Sequence, residues 1–509
     1  MLNERKKGII LSYIQIGINI IVKLLYVPIL IHYLGQEEYG LYQLVGSLFS
    51  YIVVFESCMS SAVLRNYCNA LGRKDLDEAN SVLYTASRVY CVLSVAMVFV
   101  GVALALGFKR FYSDSLTSFE ITEGSFILLI LVVNMLVTLL GSVYTTMVIG
   151  NERFLFYKGS TIVTQILQPF LVIGMVRKLP YAFMVSIGFS VINIIDTDWR
   201  RRYATKYISS IKKCSVIDKK IVHDILSLSM TVLLASLADQ IFWKADQIIL
   251  GKLYNTSVIA VYSVGSQIYM IYMQLGTQIA SVFYPKLSAL YAEESGLEKM
   301  SNLFIKVGRL TFYVILLVLT GFIILGKEFL MLWVGDGYAE AYYVAIIVMI
   351  PFSIDLAQNL GLPILQITGQ YGFRAKMYLF AALMNVVTTI FFSMKYGIIG
   401  AAISTGLAMV LTSGIIMNYY YQYKTGLDIR QYWKQTVPIL RSAFLLIILA
   451  LFVKSVLGSL LLNVVSFLTA VVVYAVVYVL VMYLFVMNEE ERSQLNCLFH
   501  LRTAENKFP

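Results

Sequence analysis

The chain has 509 residues, of which 59% are hydrophobic and 14% charged, with a formal net charge of +11 and a mean hydropathy of +0.77. Soluble domains carry roughly 25% charged residues, so this composition excludes a water-soluble domain and indicates an integral membrane protein. Cys58, Cys68, Cys91, Cys214 and Cys497 have neither metal-ligand nor disulfide spacing, and His32, His223 and His500 stand far apart, so neither a metal nor another cofactor is expected.

A spanning helix needs about 20 mostly apolar residues, and about fourteen such stretches are predicted. They lie near 9–34, 40–64, 82–107, 125–149, 159–176, 181–198, 226–250, 258–283, 310–326, 343–363, 377–394, 398–421, 437–456 and 464–487. Apolar runs begin near the first residue and continue to 487, so a cleaved leader ahead of a soluble domain is not expected.

Several spans carry charge. Lys23 lies mid-way along the first, near Pro28, whose ring can kink the helix. It reads as a cation facing a central cavity; snorkelling is the alternative, disfavoured because both helix ends are more than two turns away. Glu56 is equally deep in the second span, as a partner for Lys23 or a proton carrier. Arg65 sits where that span ends, with topology and substrate roles both open. Arg88, six residues into the third, reads as a cavity cation or as an arginine snorkelling to the interface.

The segment 199–220, WRRRYATKYISSIKKCSVIDKK, is the longest basic stretch. It reads as a cytoplasmic linker against anionic lipid heads rather than a nucleic-acid site. The seventh span follows with Asp239, Lys244 and Asp246. At 100° per residue the two acids lie within about 20° of each other while Lys244 is roughly 140° from Asp239, so the lysine cannot pair with them along the helix. Their partners must come from other helices. Gln240 and Gln247 flank Lys244 and complete a polar arc; the alternative is that Lys244 and Asp246 snorkel near the helix end. Gln267, Gln274 and Gln278 form a stripe on the eighth span, suited to a cavity or to interhelical hydrogen bonds. Asp355 stands between Pro351 and Pro363, which predict a broken or kinked tenth span.

An even number of spans puts both termini on one side, taken as cytoplasmic. Of the 40 Lys and Arg, 29 then fall inside and eight outside, while Lys23, Arg88 and Lys244 lie within spans, in keeping with the positive-inside rule. YLGQEEYGLYQLVGS at 33–47 and ILGKLYNTSVIAVYSVGS at 249–266 share an order of Leu-Gly, turn, Tyr and Val-Gly-Ser. That order fits two repeated six-helix lobes of the kind transporters build around a central cavity. The expected organisation is an N-lobe at 1–198, a basic linker at 199–225, a C-lobe at 226–421, two further helices within 422–487, and a cytoplasmic tail at 488–509.

These spans, with the LGQEEYGLYQL turn, WKADQIILGKLY and VYSVGSQIYM, resemble the polysaccharide biosynthesis proteins. These are the lipid-linked oligosaccharide flippases of the multidrug/oligosaccharidyl-lipid/polysaccharide exporter superfamily. The resemblance implies movement of an undecaprenyl-diphosphate-linked repeat unit across the bacterial inner membrane, for O-antigen, capsule or exopolysaccharide, with a polymerase and other assembly proteins as partners. A diphosphate needs a cationic, wet cavity, for which Lys23, Lys244, Arg88 and Arg65 are the candidates. Glu56, Asp239, Asp246 and Asp355 are candidates for proton or sodium coupling or charge balance. Asp239 and Asp246 are about 10 Å apart along a helix, so one of them, not both, suits an ion. The alternatives are a multidrug exporter of the same superfamily, which calls for net acidic cavity walls, and a polymerase or ligase. The outside loops near 107–124 and 327–342 are short and without histidine, carrying only scattered acids such as Asp114, Glu120, Asp336 and Glu340, so an enzyme is not expected.

Overall fold

The computed structural model describes residues 2–214, 219–281, 283–293, 295–457 and 463–499, and among these all regular structure is helical. The α-helices are α1 Leu2–Gly72, α2 Leu76–Phe111, α3 Ser118–Gly150, α4 Phe154–Val176, α5 Ala182–Tyr207, α6 Lys219–Leu253, α7 Thr256–Ser281, α8 Tyr284–Tyr291, α9 Gly296–Val334, α10 Ala341–Ala357, α11 Gly361–Ile367, α12 Tyr371–Met409, α13 Met417–Tyr420, α14 Ile429–Leu457, α15 Val464–Phe485 and α16 Glu489–Phe499. Two short π-helical stretches, Val410–Ile416 and Tyr421–Thr425, flank α13.

Among the described residues, eleven helical stretches are long and apolar enough to cross a membrane, or twelve if the pair α10 and α11, bent by 45°, is one span. Residues that reach 72% exposure on α2, such as Phe99 and Leu106, suit a hydrocarbon surround. Two of the eleven stretches are far longer than a bilayer requires: Ile14–Gly72, with 59 residues, and Tyr371–Thr425, with 55. At 1.5 Å per residue each runs to more than 80 Å against a core of about 30 Å. A glycine turns the chain inside each. Gly35 has φ 79° and ψ 176° and Gly397 has φ 60° and ψ −137°, conformations essentially closed to residues with a Cβ. The first kink lies in the predicted LGQEEYG turn and the second at the predicted boundary near 395–397. The predicted break in the tenth span is also present, between Pro351 in α10 and Pro363 in α11.

Ends are set by local chemistry. Asp75 caps α2 by accepting from the Glu78 N–H, and Thr117 with Glu120 forms a capping box at α3. The expected linker begins as helix, since α5 runs on to Tyr207 before the chain loses regular structure; residues 215–218 of that linker lie outside the described residues.

By packing, the chain forms two compact units: Met1–Ser263 with Tyr378–Ala401, and Val264–Met377 with Ala402–Pro509. In the first, α1 packs on α3, α4 and α6, and α3 packs on α2 and α5. Helices in lipid gain little from burying apolar surface against one another, so close approach and polar contacts matter more. At Gly141 in α3 a Cβ would meet Thr197 Cγ2 of α5 at 2.2 Å, and Asn193 of α5 donates to Asn134 Oδ1 at 2.6 Å and Thr138 Oγ1 at 2.7 Å of α3. In the second unit α9 is the central helix, in contact with α10, α14 and α15.

Candidate functional site

The charged residues of α6 find partners on other helices, as their spacing requires. Asp246 is 2% exposed. Its carboxylate accepts from the Tyr262 hydroxyl at 2.5 Å, the Thr389 hydroxyl at 2.8 Å and the Asn385 amide at 3.5 Å, placing donors from α7 and α12 around it. Gln247, also 2% exposed, donates to Ser263 Oγ at 3.2 Å. These two residues are thus enclosed rather than on a wet face: a buried carboxylate persists where hydrogen-bond donors replace its water. Asp239, about two turns earlier on the same face of α6, is half-buried and accepts from the Tyr378 hydroxyl at 3.0 Å. Gln240 lines a cavity of about 370 Å³ with Tyr42, Ser50 and Ser57 of α1 and Ser186 of α5.

Lys244 is half-buried, lies within the electrostatic reach of Lys23 of α1, and has no ion pair among the described residues. Helices α1 and α6 pack together along a seam that includes Val54, Cys58 and Leu233, and this packing brings the two lysines, 221 residues apart in sequence, into one field. Like charges that share a field repel, so neither lysine stabilises the other. Lys23 itself is exposed. Arg88 is exposed too; its guanidinium stacks over the Tyr84 ring of its own helix, 5.2 Å from the centroid, and donates to the Tyr84 hydroxyl at 3.2 Å. Arg65 is exposed near the end of α1.

Glu56 faces a polar cavity of about 340 Å³ inside the first unit. It accepts from the Ser60 hydroxyl at 2.6 Å. Across the cavity Asp196 and Arg200 form an i,i+4 ion pair on α5 at 2.5 Å. Arg200 also donates to Thr161 at 3.2 Å and to Thr145 at 3.5 Å and stacks over the Tyr157 ring at 4.8 Å. Asn193, Asp196 and Arg200 do not stand out in the sequence, because DTDWRRR marks a span ending in a basic linker; the i,i+4 spacing of Asp196 and Arg200 is the signal that points to them.

The remaining candidates belong to the second unit. Asp355 pairs with Arg374 at 3.4 Å, and Arg374 donates to the Tyr421 hydroxyl at 3.3 Å. Gln267 and Gln274 are half-buried on α7; the Gln278 side chain lies outside the described residues. Among the described residues no group of His, Cys, Asp and Glu has the geometry of a metal site.

Outside the spans, an acidic group caps α5. Glu38, in the turn after Gly35, accepts from the Ala182 N–H at 2.7 Å, and Glu123 of α3 accepts from the Phe183 N–H at 3.1 Å. Burial, with the charges of Glu123 and Glu120, raises the Glu38 carboxyl to about 7 despite the Ala182 bond, and burial raises Glu123 likewise. Two adjacent carboxyls disfavour double ionisation, so the pair tends to hold one proton.

A profile of the family described as Polysaccharide biosynthesis protein matches residues 5–291. The chain belongs to this family. Within the curated proteins it is 25% identical over 181 residues to the "Capsular polysaccharide biosynthesis protein CapF" of Staphylococcus aureus, a match covering 35% of this chain and 44% of that protein. The matched region thus spans less than half of that relative's length. Among solved structures, the "Lipid II flippase MurJ, inward closed conformation" superposes with a TM-score of 0.72 at 15% identity, covering 94% of this chain and 98% of that one. An inward-facing multidrug resistance MATE family transporter of the MOP superfamily gives 0.64 at 13% identity, covering 82% and 96%. At these identities the likeness establishes the fold: this polysaccharide biosynthesis protein is a multi-pass helical membrane protein with the architecture of that superfamily.

Proposed function

We propose that this protein is a flippase that moves undecaprenyl-diphosphate-linked oligosaccharide repeat units across the bacterial inner membrane by alternating access, with both termini cytoplasmic, in the assembly of a surface polysaccharide. What supports the reading is membership of a family of polysaccharide biosynthesis proteins, together with Lys23 and Lys244 on the packed helices α1 and α6, neither with an ion pair among the described residues. A diphosphate supplies the anion that makes such a pair favourable, whereas a cationic drug would meet repulsion there. The reading needs no bond-breaking step, so the protein works as a transporter rather than an enzyme, and the polymerase and other assembly proteins act on what it delivers. For coupling to a proton or sodium gradient we assign Asp246 rather than Asp239, because it is the more enclosed acid and three oxygen- or amide-bearing side chains converge on it.

The test is translocation of a fluorescently labelled lipid-linked oligosaccharide in proteoliposomes. Lys23→Ala and Lys244→Ala each remove one charge from the field and are expected to slow flipping at least tenfold, about 1.4 kcal/mol of lost stabilisation. Full-rate flipping by both folded variants overturns the cationic-site reading. Export of a cationic drug with no movement of the glycolipid would instead establish the multidrug alternative.

A further inference from the structure

The cavity bounded by α1, α3, α4 and α5 has a chemistry that the cationic pair does not explain. Its three charged groups are Glu56, Asp196 and Arg200. Arg200 is already neutralised by Asp196 at 2.5 Å, so the cavity has no cation to spare for a phosphate. The acids do not form a metal-binding group among the described residues. What remains is a wall of hydroxyls and amides, including Ser60, Thr145 and Asn193, beside the Tyr157 ring.

Two atoms of the ion pair are buried and without a hydrogen-bond partner: Asp196 Oδ1, which can only accept, and Arg200 Nε, which can only donate. The Asp196 and Arg200 side chains are 14% and 13% exposed, and a buried acceptor and donor without partners mark a polar interior that an apolar group would not suit. A sugar suits such a wall, since its hydroxyls both donate to and accept from the hydroxyl and amide side chains that line the cavity. At about 340 Å³ the cavity sits at the lower end of the range for ligand sites, about 300–1,000 Å³, suited to a group the size of one monosaccharide.

We propose that this cavity of the first unit is a binding subsite for a neutral sugar residue. The proposal rests on the reading that the cargo carries a glycan. The subsite would read hydroxyl groups while the lysine pair answers the diphosphate, which separates specificity for the sugar from affinity for the lipid carrier.

Ligand-detected NMR on the full-length protein in nanodiscs tests it. Saturation transfer is measured to free neutral hexoses and N-acetylhexosamines, with ³¹P line broadening of inorganic phosphate as the anion control. Transfer to at least one sugar is expected in the wild type. Thr145→Phe fills the cavity without replacing either member of the Asp196–Arg200 pair and is expected to abolish transfer; Thr145→Val removes one hydroxyl and is expected to weaken binding three- to tenfold. Thermal melting checks each variant, and should Thr145→Phe fail to fold, Asp196→Asn, which replaces the open acceptor, serves in its place with an expected loss of at least tenfold.

Absence of transfer to every sugar in the wild type, or transfer undiminished in the folded variants, overturns the subsite. Phosphate broadening that disappears in Thr145→Phe while sugar transfer does not would also overturn it, in favour of an anion site. Wild-type protein that flips the glycolipid without binding free sugar loses the subsite and keeps the transport function; protein that binds sugar and flips nothing keeps the subsite and loses the transport function.

Discussion

Glu491→Ala should detach α16 from α9 while leaving the membrane-embedded helices folded. In the second unit the Glu491 carboxylate accepts from Arg309 Nε at 2.7 Å and Nη2 at 2.9 Å, from the Tyr313 hydroxyl at 3.1 Å and from the Asn488 N–H at 3.0 Å. Asn488 Oδ1 in turn accepts from the Glu491 N–H at 2.8 Å, closing a reciprocal cap at the start of α16. Burial works against the charged carboxyl, but the hydrogen bonds from Arg309 and Asn488 outweigh it and hold Glu491 below the usual carboxylate range.

Removing one member of a buried ion pair costs about 3–5 kcal/mol, because the Arg309 guanidinium stays in a site only 6% exposed; loss of the cap adds about 1 kcal/mol. That sum matches the opening energy of a peripheral helix, so local release precedes global unfolding. Hydrogen exchange over 489–499 should accelerate by at least a hundredfold, with α9 above residue 315 unchanged. Arg309→Met combined with Glu491→Leu removes both charges and should recover most of the protection. The depressed pKa adds a pH signature: the pair stabilises fully above the unfolded value of about 4.5 and loses that contribution as pH falls through the lower folded value. Unchanged exchange in Glu491→Ala, or a double variant as labile as the single one, refutes the reasoning.

At the opposite sign of pH dependence stands Glu38, whose carboxyl is raised to about 7. The folded state holds a proton that the unfolded chain releases near 4.5, so stability at the α5 N-terminus falls as pH rises from about 4.5 through 7, by roughly 1–2 kcal/mol once solvent screening of a half-exposed group is allowed for. Exchange of the Ala182 and Phe183 amides should therefore rise over that window in the wild type and lose most of its pH dependence in Glu38→Gln. Gly35→Ala should destabilise by about 1–3 kcal/mol through backbone strain alone, since no atom lies within 4 Å of the added Cβ; an unchanged melting temperature would show that the kink tolerates a side chain.

The features legible in the sequence were those in which one local pattern decides the outcome. LGQEEYG announced the turn at Gly35, Pro351 and Pro363 announced the break between α10 and α11, and the angular mismatch of Lys244 with Asp239 and Asp246 required partners from other helices. The identity of those partners was not legible. Tyr262, Asn385 and Thr389 approach Asp246 from 16 to 143 residues away, and Glu491 reaches Arg309 across 182; no periodicity within a helix encodes such pairings. Asp196 and Arg200 failed for a different reason. Basic residues at a span's end have a general topological explanation, and that explanation concealed the arginine that turns back into the cavity.

Ion pairs occur in both units, Asp114–Lys252 and Asp196–Arg200 in the first and Asp355–Arg374 and Glu328–Lys454 in the second, so the charges left without one are the informative ones. Pairing such as that of Asp355 with Arg374, Arg309 with Glu491, and Lys454 with Glu328 at 2.7 Å fixes helices in place. In the first unit the lysine pair has no ion pair among the described residues, and the Asp196–Arg200 pair, though neutral overall, keeps an open acceptor and an open donor. Unmet electrostatic demand destabilises a folded protein unless something else meets it. In a carrier that demand is useful, because a ligand that satisfies it binds one conformation better than another, and differential binding is what allows cargo to shift a conformational equilibrium. Supplying Lys23 and Lys244 with a protein anion, through an acidic substitution beside either lysine, should stabilise the resting protein and weaken cargo binding together.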